Sequence, residues 1–311
     1  MTSLALYPEN PAARTRWIVG HRAKKRTMNP HLPYGAFTEE EIGPDGAPWQ
    51  CRTFLLTNRE CAFRCLMCDL WQDTLDTPVA PGTVAQQVTG IPPGVRAVKL
   101  YNAGSFFDPG QVPPEDDAAI ADTVRRVERV IVESHTAFLQ GKHAQRVLRF
   151  RDAIAPATLE VAIGLETVHE RALEKLNKRM TLDDFRRAAN FLQESGIALR
   201  VFLLVRPPFL SEEEGVEWGC RSLDVAKACG ATFVTLLPTR AGNGALEALA
   251  EQGHYTPPAL ESVEACLRYG LNLGEMRVTA DLWDIEPFVR SEMDRARIAC
   301  IAEMNRAQVA R

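Results

Sequence analysis

Cys61-Ala62-Phe63-Arg64-Cys65-Leu66-Met67-Cys68-Asp69-Leu70-Trp71 is the stretch from which the rest of this chain is read. Its C-x3-C-x2-C spacing puts three thiols, Cys61, Cys65 and Cys68, on one loop. A [4Fe–4S] cluster is normally held by four cysteine thiolates, so three close ligands leave one iron open to a further group. Zinc also accepts thiolate-rich sites, which makes a zinc-bound, non-enzymatic binding module the alternative. Zinc sites usually pair two cysteine or histidine knuckles. Here Cys51, Cys220, Cys229, Cys266 and Cys300 stand singly and read as ordinary buried residues.

Outward from this loop, short apolar and β-branched runs alternate with capped helical patterns, the mark of a parallel α/β sheet. The runs predict strands at Thr53–Thr57, Ala97–Tyr101, Arg129–Glu133, Leu159–Leu165, Ala198–Val205 and Ala231–Leu237, with a short seventh at Arg277–Ala280. Helix starts are marked by Ser211 with Glu214 and Thr167 with Glu170, in the spacing of a capping box. Thr181 opens another helix. Leu182, Phe185, Ala189 and Leu192 give it an apolar stripe, and Gly196 closes it. A terminal helix from Ser291 is expected to seal one edge or the mouth of the sheet.

Composition sets the outer bounds. At 311 residues, with 46% hydrophobic and 24% charged, the chain buries a full core. Met1 to Pro8 lacks the basic and apolar pattern of a leader, and no run approaches a membrane span, so a cytoplasmic chain without membrane contact is expected. The net charge of −4 argues against a broad nucleic-acid surface. Charge is uneven, however: Arg14, Arg16, Arg22, Lys24, Lys25 and Arg26 face only Glu9 among the first 31 residues. This basic arm is a candidate phosphate contact, or else a solvated extension.

The cysteine loop resembles that of the radical S-adenosylmethionine (SAM) superfamily, in which SAM chelates the open iron. The resemblance implies an α/β fold, an open (β/α)6 partial TIM barrel, with residues 1–50 as an N-terminal extension, 51–290 as the core and 291–311 as a C-terminal helix. It also implies a [4Fe–4S] cluster and SAM as cofactors, and an external electron donor of flavodoxin or ferredoxin type. The cluster loop closely follows the first strand, at the sheet edge where barrel active sites sit, so every strand end is a candidate contact.

Under this resemblance Met67, Asn102, Gly104, Ser105, Glu133, Glu166 and Arg200 are the candidate cofactor contacts, and Arg206, Asp281 and Asp284 the candidate substrate contacts. The Tyr101-Asn102-Ala103-Gly104-Ser105-Phe106 turn stands where the superfamily commonly has a GGE-like turn for the SAM amino group, but it lacks the carboxylate. Glu133 and Glu166 leave adjacent strands toward the same mouth. Arg200 lies inside an apolar run and needs an anion, either a carboxylate of SAM or a substrate acid, or an internal salt bridge to Glu133 or Glu166. His135 reads as a cap or surface residue, and the Leu237–Gly244 loop as one lying against adenine or substrate.

Within the superfamily, Cys65-Leu66-Met67-Cys68, Tyr101 to Phe106, Ile163-Gly164-Leu165-Glu166-Thr167, Leu176-Asn177-Lys178 and Pro207-Pro208-Phe209-Leu210 resemble the Elongator-catalytic-subunit/MiaB/NifB-type core, and in it the archaeosine-synthase radical SAM subunit and its bacterial relatives. That likeness implies hydrogen abstraction by a 5′-deoxyadenosyl radical and C–N bond cleavage on a modified tRNA base, beside a partner subunit. Small-molecule biosynthesis by the same radical chemistry is the alternative substrate reading.

Overall fold

The computed structural model describes residues 6–311; residues 1–5, part of the stretch read for a leader, lie outside it. Eight strands form one sheet in sequential order: β1 Gly35–Ile42, β2 Pro48–Leu56, β3 Ala97–Asn102, β4 Arg129–Glu133, β5 Thr158–Glu166, β6 Ala198–Val205, β7 Ala231–Pro238 and β8 Arg277–Ala280. β2 to β8 run parallel, while β1 pairs antiparallel with β2. The fold is the expected open partial barrel with one additional edge strand.

The helices are α1 Pro11–Gly20, α2 Thr83–Gln87, α3 Asp117–Val124, α4 Ala144–Ala153, α5 Glu170–Lys175, α6 Leu182–Glu194, α7 Glu212–Ala228, α8 Ala245–Glu251, α9 Leu260–Leu273 and α10 Glu292–Ala307. Valine, isoleucine, leucine and phenylalanine from β2 to β8 pack against α2, α3, α4, α6, α7 and α9 in the main core.

β1 escaped the sequence reading for a physical reason. Its half-buried positions are Gly35, Phe37, Glu39 and Glu41, alternating with exposed Ala36, Thr38 and Glu40. The inward face meets a charged lumen rather than an apolar core, so the alternation carries no hydrophobic signal. β2 starts at Pro48, so the boundary drawn at residue 50 falls inside a strand. Pro44-Asp45-Gly46 turns the hairpin, with Asp45 Oδ1 accepting from the Ala47 N–H and Gly46 at φ 81°.

The basic N-terminal stretch is not an open arm. Arg14 is buried and donates to the Pro8 and Glu174 carbonyls and to the Glu174 carboxylate. Arg22 and Lys25 pair with Glu60, and Arg26 with Asp73. Exposed Arg16 and Lys24 remain as surface cations. The stretch is basic because its partners are carboxylates distant in sequence.

Ser211 with Glu214 forms its capping box, and Thr181 forms one with Asp184. After α6 the Ile197 N–H reaches the Leu192 carbonyl past Gly196 at φ 65°. Thr167 and Glu170 do not form the expected box; His169 is the N-cap, its Nδ1 accepting from the Ala172 N–H. At the far end, α10 packs on α9, β8 and β1, bridging the two sheet edges. Asn305 and Gln308 bond the backbone of Ala280 and Val278 through their side-chain amides, covering the free edge of β8 as a ninth strand would.

Candidate active site

The cysteine loop follows β2 and is clamped from two sides. The Leu66 N–H donates to the Leu176 carbonyl, and Asn177 Nδ2 donates to the Arg64 carbonyl at 2.8 Å. From the other side Asn243 Nδ2 donates to the Leu66 carbonyl at 2.7 Å, while its Oδ1 accepts from the first N–H groups of α8. Leu66 is buried in a second apolar cluster with Trp17, Leu176, Leu204 and α8, and Met67 packs against that cluster. The predicted Leu237–Gly244 loop therefore acts on the cysteine loop itself, through Asn243.

Cys61, Cys65 and Cys68 line one cavity of about 950 Å³ that runs from the strand ends down the barrel lumen. Burial pushes the Cys61 thiol up to about 11, and the Cys65 and Cys68 thiols up to about 12. Each also feels the charge of another of the three. Among the described residues no group of three His, Cys, Asp or Glu side chains is arranged to hold a metal ion.

Opposite the cysteines stands a buried ion pair. β5 carries an irregularity between Gly164 and Glu166, and Glu166 takes φ 67°, unusual for a residue with a side chain. Lys178 Nζ donates to Glu166 Oε1 at 2.6 Å. Lys178 is itself presented between two left-handed residues, Asn177 at φ 55° and Arg179 at φ 57°. Backbone strain of this kind persists where the surroundings enforce it, and it concentrates at sites. Burial works against the Lys178 charge, but Glu166 and the sulfurs of Cys65 and Cys61 hold its pKa up.

Glu133, at the end of β4, lines the same cavity. Burial pushes its carboxyl up to about 8, with Lys178 and the Asn102 backbone acting in the opposite sense. Glu133 thus keeps its proton at neutral pH for want of a second positive charge beside it. An amino or sulfonium group beside Glu133 would supply it, which is the fit of this donor set to SAM.

His135 is a cap, as its sequence position suggested. Its Nδ1 accepts from the Ala137 N–H, so Nε2 carries the proton toward the Lys178 carbonyl at 3.0 Å. The ring stacks on Phe63 of the cysteine loop with centroids 3.8 Å apart. Burial holds it neutral, lowering its pKa to about 4.

The other candidates divide. Met67, Gly104, Ser105, Glu133, Glu166, Arg200 and Asp281 line the cavity. Ser105 Oγ accepts from the His135 N–H, and a Cβ on Gly104 would overlap the Gln111 amide, which organises this turn through Ser105 N–H and the Ala103 carbonyl. Asn102 is buried, its side-chain nitrogen and oxygen both without a hydrogen-bond partner. Arg200 sits low in the lumen, bound to Glu160 at 2.5 Å and Glu41 at 2.6 Å, and Glu41 also binds Lys99. Its partners are internal, but they are neither Glu133 nor Glu166.

Arg206 lies off the cavity and is spent on Glu212 and the Pro257 carbonyl. Asp281 is held by Arg240 at 2.7 Å, and exposed Asp284, at φ 48°, completes the same turn. The sequence reading passed over Trp283, between the two aspartates, which does line the cavity.

The fold is an open partial barrel with a three-cysteine loop after its first parallel strand. No family model matches the chain. It is similar to archaeosine synthase subunit beta of Methanosarcina acetivorans, 33% identical over 175 residues, 55% of this chain and 50% of that protein. The same subunit of Thermococcus kodakarensis is 31% identical over 173 residues, covering 54% and 52%. The chain thus spans about half the length of these curated relatives. Among solved structures, methylornithine synthase superposes with a TM-score of 0.52 at 14% identity, over 96% of this chain and 75% of that one, a likeness of fold.

Proposed function

We propose that this protein is a radical SAM enzyme that acts on a modified base of tRNA by C–N bond cleavage. The observation that carries the radical SAM reading is the convergence of three thiols, Glu133 and the Glu166–Lys178 pair on one cavity. Cys61, Cys65 and Cys68 would hold a [4Fe–4S] cluster, which supplies, with SAM and an external one-electron donor, the 5′-deoxyadenosyl radical that abstracts hydrogen from substrate. Glu133 would bind the amino group of SAM and give up its proton on doing so. Lys178 holds a fixed positive charge beside Cys65 and Cys61, with Glu166 as its counter-ion.

The tRNA reading rests on the archaeosine synthase relatives, whose name as a subunit also supports action beside a partner chain. Small-molecule biosynthesis is the second reading, favoured by the ion-paired state of the basic stretch. A cytoplasmic location agrees with eight cysteines that form no disulfide; among the described residues no helix is long and apolar enough to cross a membrane.

The test is anaerobic reconstitution with iron and sulfide, followed by dithionite and SAM, with 5′-deoxyadenosine measured against a Cys65→Ala control. Product from the intact protein alone is expected. No product, with zinc bound in place of iron, would leave a zinc-binding module.

A further inference from the structure

Trp283 follows β8 at the cavity wall with 70% of its surface exposed. It stacks on Phe37 of β1, ring centroids 5.7 Å apart and planes 21° from parallel. β1 and β8 are the two edges of the open sheet, so the aromatic pair spans the seam.

The turn that presents the indole is rigidly built. Asp281 Oδ1 accepts from the Trp283 N–H at 3.0 Å, Asp281 Oδ2 holds Arg240 at 2.7 Å, and Arg240 also donates to the Trp283 carbonyl at 2.5 Å. Below it, the Asp281 N–H donates to the Leu236 carbonyl at 2.8 Å. A tryptophan placed only to plug a seam gains by being buried; this one is fixed in position with most of its surface left open. Of the cations lining the mouth, Arg240 is matched by Asp281 and Arg26 by Asp73, while exposed Arg306 of α10 has no such carboxylate partner among the described residues.

We propose that Trp283, backed by Phe37, is the stacking platform for a planar heteroaromatic ring of the substrate at the cavity mouth. Every nucleobase has such a face, and an indole stacks on it without reading its edge. The inference rests on this cavity being a substrate site, and it needs no SAM cleavage to be tested.

Reconstituted protein is titrated with guanosine and, separately, with a short RNA stem-loop bearing unpaired purines. Wild type, Trp283→Phe and Trp283→Ala are compared by calorimetry, tryptophan fluorescence and melting temperature. Wild type is expected to bind at least one probe with quenching of its emission. Trp283→Phe should keep most of the affinity and lose the quenching, whereas Trp283→Ala should bind at least about fivefold more weakly, at a melting temperature close to that of Trp283→Phe. Binding of both probes with the same dependence on Trp283 assigns the platform to a ring from either source; dependence with one probe alone assigns it to that source. Equal affinity in wild type and Trp283→Ala overturns the platform, as does the absence of binding to either probe. A weaker Trp283→Ala that also melts well below Trp283→Phe would make Trp283 a seam plug. A wild type that binds but forms no 5′-deoxyadenosine would fault the radical reading and leave the platform standing.

Discussion

Lys178 Nζ lies 2.6 Å from Glu166 Oε1, and the contact passes over Gly164, a position of β5 with no side chain. A Cβ there would overlap Glu166 Oε1 and come within 2.6 Å of Lys178 Nζ. The glycine, the left-handed Glu166 and the two left-handed neighbours of Lys178 form one device that sets a charge pair in the cavity wall.

Gly164→Ala is therefore expected to destabilise the protein by about 2 kcal/mol, and Lys178→Met by about 3–5 kcal/mol, because the latter leaves the buried Glu166 charge without a partner. Urea unfolding at neutral pH measures both. A Lys178→Met protein as stable as wild type would show that Glu166 is adequately served by cavity water.

Glu133 gives a pH dependence of defined direction. Its folded-state carboxyl is pushed up to about 8 from an ordinary 4.5. Between these values the unfolded chain has released the proton and the folded chain still holds it, so stability from this group is present below 4.5 and is lost as pH rises toward 8. Glu133→Gln should remove that decline. The gap between variant and wild type should widen over this window to about 1–3 kcal/mol in the SAM-free protein. Saturating SAM should narrow it. Parallel stability curves for the two proteins would contradict the assignment.

Much of this was legible in the sequence because the relevant signals are local. Strands β3 to β7 are mostly apolar runs, broken inside only by single charges such as Lys99, Glu160 and Arg200, and the Cys61, Cys65 and Cys68 spacing is a short-range pattern. β1 was not legible, since Phe37, Glu39 and Glu41 point into a lumen where charge is matched by Lys99 and Arg200 from other strands. The roles of Arg14, Arg22 and Arg200 depend on carboxylates brought close only by folding. Asn243 showed no signal beyond its glycine-bearing loop, because its hydrogen bonds go to the backbone of the cysteine loop rather than to a side chain.

Asn243 offers a clean separation of two jobs. Asn243→Asp keeps an oxygen for the N–H groups of Ala245 and Leu246 but removes the donor to the Leu66 carbonyl, whereas Asn243→Ala removes both. Both variants should lose the reconstituted iron–sulfur chromophore to a chelator several-fold faster than wild type. Asn243→Ala alone should also lose about 1 kcal/mol of stability through the missing cap. Iron content and visible absorbance followed over time would decide; equal retention in all three proteins would mean that Leu176 and Asn177 hold the loop unaided.

At the base of the lumen, Arg129, Glu160, Arg200, Glu41, Lys99 and Glu39 form a continuous chain of alternating charge. Burial alone would raise the Glu41 carboxyl, but Arg200 and Lys99 outweigh it and hold it at about 2. Its stabilising contribution is thus present above 4.5 and is lost as pH falls from 4.5 toward 2. Glu41→Gln should cost about 3–5 kcal/mol at neutral pH, since Arg200 and Lys99 are left sharing too little negative charge in a buried site. It should also flatten the acid limb of the stability curve relative to wild type. Arg200→Met should destabilise by a similar amount through Glu41 and Glu160, and because those two carboxylates already occupy its guanidinium, SAM affinity measured by calorimetry should stay near the wild-type value. A large loss of SAM affinity without loss of stability would return Arg200 to the cofactor contacts that its place in an apolar run first suggested.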